Sequence, residues 1–392
     1  GNLTIMGTGR VDNISHAKGA LYNKGTVVIN GGTFDRSREN GMNKGESGQN
    51  SWYTIKNVGT MTINDGATVQ TAGNNAALGK FSSLVSNGYF NANDYNTNKG
   101  LDQPILTIDG GTFRGGLNTI KNDDRAKLTI NGGTFSNYYQ AVVQNHNIAE
   151  ITGGTFTAAS DANTETYGIY NCGCGAGIDL GTLTVSGGTF TGATYAVAEV
   201  SSQNAIVNIS GGQFAGTKAA IIKSSTSNAT IAISGGKVTA KSSKNGAGIG
   251  GGMWGKGKDI TVSGDAQLKV QGGVGDYFDG PGAGIGDGGS RPKGSTGGSP
   301  IPGAEVGPDT SGLTTNGSIE YYAPGADMEK DKPTSTTTGK PTEPGKPTEP
   351  TEPTEPGKPT EPIEPAVPEQ PEAERGMDAP LYRVTDKDGK DI

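Results

Sequence analysis

Leu128-Thr129-Ile130-Asn131-Gly132-Gly133-Thr134-Phe135 is the stretch that decides the fold of this chain, because close copies of it recur along the sequence. Six copies combine an apolar alternation, a Gly-Gly pair and a phenylalanine, and their phenylalanines are Phe34, Phe113, Phe135, Phe156, Phe190 and Phe214. The first glycines of neighbouring pairs are 22 (110 to 132), 21 (132 to 153) and 24 (187 to 211) residues apart. A repeat of this length predicts a solenoid, in which each turn of chain stacks on the previous one.

One repeat contains three short β-strands. Leu128-Thr129-Ile130 alternates as a strand with one buried face, and the glycines allow the chain to turn. Thr134-Phe135 begins a second strand, and Ala141-Val142-Val143 supplies a third. Helical solenoids need long segments with a period of 3.6 residues, which the 67 glycines of this chain would break. The sequence therefore predicts an all-β fold: a right-handed parallel β-helix with three short strands per rung of about 22 residues.

Two columns of side chains follow from stacked rungs. The phenylalanines should form an internal column, for which core packing is the preferred interpretation over a ligand role. Asparagines recur after the third strand, at Asn23, Asn57, Asn122, Asn145 and Asn171. They can form a ladder of amide hydrogen bonds or adopt the left-handed conformation of a corner, and both interpretations are structural.

Composition limits the function. The chain has 392 residues, a net charge of −7 and 31% hydrophobic residues. A net negative charge disfavours binding to nucleic acid. No apolar run of the sequence is long enough to cross a membrane. Cys172-Gly173-Cys174 can be a local disulfide or two thiols, and with only two histidines the sequence predicts no metal site.

The chain divides into three parts. Residues 1–290 form the predicted β-helix, with glycine-rich end rungs over 244–290 and loop insertions at 36–54, 70–103 and 157–181. Residues 291–375 are predicted to be a flexible Gly/Ser stretch followed by a Pro-Thr-Glu-Pro linker. Residues 376–392 are expected to start a further, truncated β domain, so we interpret the chain as a fragment.

Three functions remain open. The first is carbohydrate binding or adhesion along one flank, with Trp52, Tyr53, Tyr138, Tyr139 and Tyr170 as candidate ligand-binding aromatics; Tyr167 and Trp254 are further aromatics suited to stacking on sugar rings. The second is a polysaccharide lyase or glycoside hydrolase, for which Asp123, Asp124 and Arg125 are weak catalytic candidates at a solvated corner. The third is a structural spacer.

The Leu-Thr-Ile-x-Gly-Gly-Thr-Phe rungs, the run Gly246-Ala247-Gly248-Ile249-Gly250 and the Pro-Thr-Glu-Pro repeats carry a resemblance. The chain resembles secreted surface proteins of Gram-positive bacteria with a pectate-lyase-like right-handed β-helix, over residues 1–290 for the helix and 325–375 for the stalk. The resemblance implies an extracellular, cell-surface or cell-wall location and a polysaccharide or host glycan as partner. It implies no cofactor, although calcium is compatible with it, and it transfers no catalytic residue.

Overall fold

The computed structural model describes residues 1–14, 19–37, 52–71, 82–89, 101–159, 165–172, 181–199, 206–223, 229–292 and 299–340. Gly1–Glu343 forms one compact unit. The predicted Pro-Thr-Glu-Pro repeats from 341 onward and the expected domain start at 376–392 lie outside the described residues.

The described chain is a right-handed parallel β-helix of three sheets, as the repeats predict, and its strands are numbered in chain order. Sheet A contains β1 (Asn2–Ile5), β4 (Thr26–Ile29), β7 (Thr60–Ile63), β10 (Ile105–Ile108), β13 (Lys127–Ile130), β16 (Ile148–Ile151), β19 (Thr182–Val185), β22 (Ile206–Ile209), β25 (Thr230–Ile233) and β28 (Ile260–Val262). Sheet B contains β2 (Arg10–Asp12), β5 (Gly32–Asp35), β8 (Ala67–Gln70), β11 (Thr112–Arg114), β14 (Thr134–Asn137), β17 (Thr155–Ala158), β20 (Thr189–Thr191), β23 (Gly212–Gly216), β26 (Lys237–Ser242), β29 (Gln267–Gln271), β31 (Ser318–Tyr322) and β32 (Ser335–Thr338). Sheet C contains β3 (Leu21–Asn23), β6 (Ile55–Asn57), β9 (Val85–Asn87), β12 (Asn118–Asn122), β15 (Ala141–Asn145), β18 (Tyr167–Asn171), β21 (Tyr195–Glu199), β24 (Ala219–Lys223), β27 (Ile249–Gly250) and β30 (Ile285–Gly286).

The Gly-Gly pair makes the corner between sheets A and B. Gly133 has φ of 106°, a left-handed conformation that costs glycine little. A Cβ atom on Gly132 would lie 2.7 Å from the carbonyl oxygen of Asp109 in the preceding rung. One glycine is therefore required by its backbone conformation and the other by the close approach of stacked rungs.

The phenylalanine column is internal, as predicted. Phe113, Phe135, Phe156, Phe190 and Phe214 stack in succession with ring centroids 4.4 to 5.1 Å apart. Phe34 is also fully buried, and Val69 occupies the equivalent position between Phe34 and Phe113. The centroid spacing is close to the distance between neighbouring strands, so strand pairing and ring stacking reinforce each other.

The asparagines form a buried ladder rather than left-handed corners. Each Nδ2 donates to the Oδ1 of the next rung at 2.7 to 2.9 Å through Asn23, Asn57, Asn87, Asn122, Asn145 and Asn171. Asn171 then donates to the buried carboxylate of Glu199. Asn87 belongs to strand β9, which lies inside the insertion predicted at 70–103, so that segment is not one loop. The insertion predicted at 157–181 likewise contains β18.

The C-terminal end of the described chain corrects the prediction of a flexible stretch after residue 290. Strand β31 pairs in parallel with β29, and β32 pairs antiparallel with β31. Ile319 is fully buried and Leu313 is 4% exposed, so residues 299–340 add apolar surface to the core. Gly, Pro and Thr dominate this region, and the short apolar alternation Ile319-Glu320-Tyr321 is its only strand signal.

Candidate functional site

The connections between strands distinguish the three corners of the rung. The A-to-B connections contain two to four residues, such as 109–111. From β1 to β30, every connection longer than four residues lies at a B-to-C or C-to-A corner, and both of these corners border sheet C; the longest are 36–54, 71–84, 88–104 and 272–284. After β30, the segment 287–317 connects sheet C to β31 of sheet B, and 323–334 connects β31 to β32. The outer face of sheet C is thus flanked on both edges by longer segments, where recognition in solenoids usually lies.

A charged cluster occupies the N-terminal half of this face. The strand register places Lys56, Ser86 and Lys121 in one outward row on successive rungs. Ser86 Oγ accepts from Lys56 Nζ at 2.8 Å and donates to Asp123 Oδ2 at 2.9 Å. Lys121 Nζ lies 3.0 Å from Asp123 Oδ1, and Lys56 Nζ lies 4.0 Å from Asp123 Oδ2. One carboxylate therefore holds two ammonium groups.

Burial alters the protonation of this cluster. Desolvation lowers the pKa of Lys56 to about 8, although the Asp123 carboxylate favours the charged form. The Lys56 ammonium lies 5.0 Å from the centroid of the Tyr53 ring, in a cation–π contact. Burial, followed by the charge of Asp123, raises the pKa of Tyr53 to about 12. Near neutral pH the cluster presents a neutral phenol and a lysine that releases its proton readily.

The predicted catalytic residues are not at a solvated corner. Asp123 is fully buried and Asp124 is 3% exposed. Arg125 has φ of 62° and donates from Nη2 to the carbonyl oxygen of Leu101 at 3.0 Å. The prediction of a solvated Asp-Asp-Arg corner is therefore wrong, because Tyr89 and Leu101 hydrogen-bond to the turn and the Asp123 carboxylate pairs with the lysines of sheet C.

Tyrosines dominate the C-terminal half of the face. Tyr167 lies 4.7 Å from Tyr170 and 5.7 Å from Tyr195 between ring centroids. With Ala198, Ala219 and Ile222 they form an apolar cluster separate from the core. Tyr167 and Tyr195 each donate a hydroxyl hydrogen bond of 3.3 Å to Glu165, which also accepts from Lys218 Nζ at 2.9 Å.

The tyrosine cluster is held in its neutral form. Burial and then the charge of Glu165 raise the pKa of Tyr167 and Tyr195. Partial burial alone would raise the pKa of Glu165, but the hydrogen bond and charge of Lys218 hold it below its ordinary value. The face thus offers neutral phenol rings beside one ion pair, a combination suited to hydroxyl-rich ligands.

The five predicted ligand-binding aromatics lie on sheet C or its B-to-C edge. Tyr170 occupies the outward row of Gln144 and Lys121, and Tyr53 contacts Lys56. Trp52 is 37% exposed and packs against Tyr53 at 5.7 Å. Tyr138 and Tyr139 follow β14 at the same edge, and Tyr138 is 40% exposed.

Sequence reasoning missed Lys56, Ser86, Lys121 and Glu165. Alternation within the third strand was the available signal, since Ile120-Lys121-Asn122 places a lysine between two inward residues. Their convergence on Asp123 depends on the register across two long insertions, which the sequence does not state.

A Cys–His contact lies beside the tyrosines. Cys172 Sγ is 3.7 Å from His146 Nδ1, and burial raises the pKa of the Cys172 thiol to about 12. Cys174 lies outside the described residues. Within the described ranges, no three His, Cys, Asp or Glu side chains are grouped closely enough to hold a metal ion.

A concave surface lies on the outer face of sheet B. This groove of about 590 Å³ is lined by Thr189, Gln213, Lys237, Thr239, Lys269 and Glu329. Its lining contains no aromatic ring, and Lys269 pairs with Glu329 at 3.1 Å. Aromatic rings, buried charges and long bordering connections all favour sheet C as the candidate binding face.

Comparison of the chain with family models, curated proteins and solved structures gives no match. Across the described ranges, no helix has the length and apolar character needed to span a membrane.

Proposed function

We propose that the protein is a secreted or cell-surface module that binds polysaccharide or host-surface glycan along the outer face of sheet C. The observation that carries the proposal is the concentration of long connections, aromatic rings and polar clusters on that one face. The resemblance to Gram-positive surface proteins supports an extracellular, cell-wall-associated location.

The spacing of the rungs favours an extended ligand. Lys121, Gln144 and Tyr170 stand in one row on consecutive strands, about 4.8 Å apart. Successive sugar units of an extended glycan repeat on a similar scale, so neighbouring rungs can contact neighbouring units. Phenol rings supply stacking surfaces, and amide, hydroxyl and ammonium groups supply hydrogen bonds to sugar hydroxyls.

The test is affinity electrophoresis of the protein in gels containing soluble polysaccharides, followed by calorimetric titration with those that retard it. We expect Tyr170→Ala to weaken binding by about fivefold, since a stacked aromatic contact contributes on the order of 1 kcal/mol. Thr155→Ala, at an exposed position on the outer face of sheet B, is the matched control and should leave the affinity unchanged. Equal losses in both variants, or no retardation by any polysaccharide, would contradict the proposal; the latter result would favour a structural spacer.

A polysaccharide lyase is the second candidate, and the lowered pKa of Lys56 favours it. A lysine with a pKa of about 8 is partly deprotonated at that pH, and its neutral form can remove the proton next to the carboxylate of a uronate while the glycosidic oxygen leaves. The expected product carries a carbon–carbon double bond and absorbs in the ultraviolet. Acidic polysaccharides that give no absorbance increase, with or without calcium, would exclude this candidate.

A further inference from the structure

Trp254 is held in an unusual backbone conformation. It lies in the connection 251–259 between β27 and β28 and has φ of 63°, where a bulky L-residue is strained. Its backbone N–H donates to Gly289 at 3.1 Å, and its indole Nε1 donates to Asp279 Oδ1 at 2.7 Å. These bonds fix the ring, yet the residue remains 52% exposed. Strain retained at an exposed aromatic residue points to a role outside the fold.

One face of the indole is already occupied. The Arg291 guanidinium lies 4.9 Å from the Trp254 ring centroid and 5.8 Å from that of Phe278. Arg291 Nε is also 3.6 Å from Asp279 Oδ1, so the same carboxylate orients both side chains. Trp254 is still 52% exposed with this contact in place, so the ring retains surface that a ligand can cover. Phe278 is itself 45% exposed beside this surface.

The charges around the indole balance. Lys256 pairs with Asp287 at 2.7 Å, and Arg291 with Asp279. Lys244 and Asp276 are a further cation and carboxylate that interact here, and the Asp276 carboxylate accepts from the backbone N–H groups of Phe278 and Asp279. A surface with three cations and three carboxylates gives no net attraction to an acidic ligand, so it suits a neutral one.

This surface continues the outer face of sheet C. A Cβ atom on Gly252 would lie 2.8 Å from Ile222 Cδ1 and 3.4 Å from the Tyr195 ring. The backbone two residues before Trp254 thus rests on the tyrosine cluster. Tyr195 is buried beneath this backbone, whereas Tyr170 is partly exposed, so a chain-like ligand lying on Tyr170 can extend over this segment toward Trp254.

We propose that Trp254, with Phe278 beside it, is a stacking platform for the apolar face of a neutral pyranose ring, at the C-terminal end of the sheet C face. This inference rests on the proposed glycan binding and specifies its ligand at this end.

The chain offers a direct optical test, because Trp52 and Trp254 are its two tryptophans. In Trp52→Phe the fluorescence reports Trp254 alone, and in Trp254→Phe it reports Trp52 alone. Each variant is titrated with a soluble β-glucan, a galactomannan, an arabinoxylan and, as the charged comparison, polygalacturonate. We expect at least one neutral polysaccharide to shift or quench the emission of Trp52→Phe, and polygalacturonate to leave it unchanged.

The variant Trp254→Gly removes the indole ring and tests how much that ring contributes to binding. Glycine adopts a positive φ without strain, and this relief offsets part of the cost of losing the indole hydrogen bond to Asp279. Circular dichroism and urea unfolding of the variant establish that it is folded at the temperature of the titration. We expect its affinity for the neutral polysaccharide to fall by about tenfold.

The outcomes separate the two proposals. Polysaccharide binding that is lost in Tyr170→Ala but leaves Trp254 emission and Trp254→Gly affinity unchanged overturns the platform alone. A Trp254 response to polygalacturonate only, or to a protein partner and no polysaccharide, also overturns it. Absence of binding by every polysaccharide and every variant overturns both.

Discussion

At the scale of single residues, an aromatic side chain is buried or exposed according to its position in the rung. Phe135 is fully buried between two other rings, whereas Tyr138, three residues later, is 40% exposed at the edge of sheet C. The sequence distinguishes them because Phe135 repeats with the Gly-Gly pair and Tyr138 does not. It could not show that Lys56 and Lys121 share Asp123, since that contact joins three rungs separated by insertions of unknown path.

Phe135→Ala tests the internal column. Removing a stacked, fully buried ring leaves a cavity, so the free energy of unfolding should fall by about 3–5 kcal/mol. Chemical denaturation followed by circular dichroism measures this change. Tyr138→Ala is the exposed control and should change stability by less than about 0.5 kcal/mol. A loss in Phe135→Ala no larger than in the control would place the ring outside the core.

Lys56 gives a pH-dependent prediction. Its pKa is about 8 in the folded protein and 10.5 in an ordinary lysine, so between these pH values the unfolded chain binds the extra proton. Raising the pH through this window should therefore stabilise the folded protein, and the contribution is absent in Lys56→Gln. Urea unfolding of both proteins across the window measures the difference. The free energy of unfolding of the native protein should rise relative to that of Lys56→Gln as the pH rises. A difference that stays constant or falls contradicts the lowered pKa.

At the scale of elements, the repeats predicted the strands of every rung that carries the full Leu-Thr-Ile-x-Gly-Gly-Thr-Phe pattern. The Gly-Gly corners, the phenylalanine column and most of the asparagine ladder could be predicted because each recurs at a fixed place in the rung. Strand β9 was not predicted, because Val85-Ser86-Asn87 is short and lies between two insertions. Strands β31 and β32 were not predicted, because the Gly, Pro and Thr residues around them are typical of flexible segments. In the structure, Ile319 of β31 is nevertheless fully buried.

Asn122→Ala tests the ladder as an element. The Asn122 amide donates to Asn145 Oδ1 at 2.8 Å and to the Ile148 carbonyl at 2.9 Å, and its oxygen accepts from Asn87. Because the partners are buried and would lose their bonds, we expect a cost of at least about 2 kcal/mol in the free energy of unfolding. Asn131→Ala removes a similar bond to Asp109 at an exposed corner and should cost less than about 1 kcal/mol. Equal costs would show that the buried amides form no continuous ladder.

At the scale of the described unit, the three faces differ in the lengths of the connections that border them. Short glycine corners leave the A-to-B edge regular, and long connections collect around sheet C. Residues 299–340 continue sheet B beyond the last full rung and bury Leu313 and Ile319. The repeats predicted the architecture, but they predicted neither the closing strands nor the candidate binding face, because both depend on segments that do not repeat.

Truncation after residue 292 tests the closing strands. Loss of β31 leaves the β29 edge unpaired and exposes the apolar residues beneath it, and such edges promote association. We expect the 1–292 chain to unfold at lower urea concentration than the 1–340 chain and to form larger species in light scattering as its concentration rises. Identical stability and mass for the two chains would mean that 299–340 is not part of the folded unit.

The location of the binding face is tested most directly by hydrogen–deuterium exchange with a polysaccharide that the protein retains in affinity gels. We expect slower exchange in peptides covering 165–172 and 195–199 of sheet C and the adjoining 251–259 connection. Peptides from the outer rows of sheets A and B should exchange as in the free protein. Protection centred on the threonine rows of sheet B, with sheet C unchanged, would contradict the account.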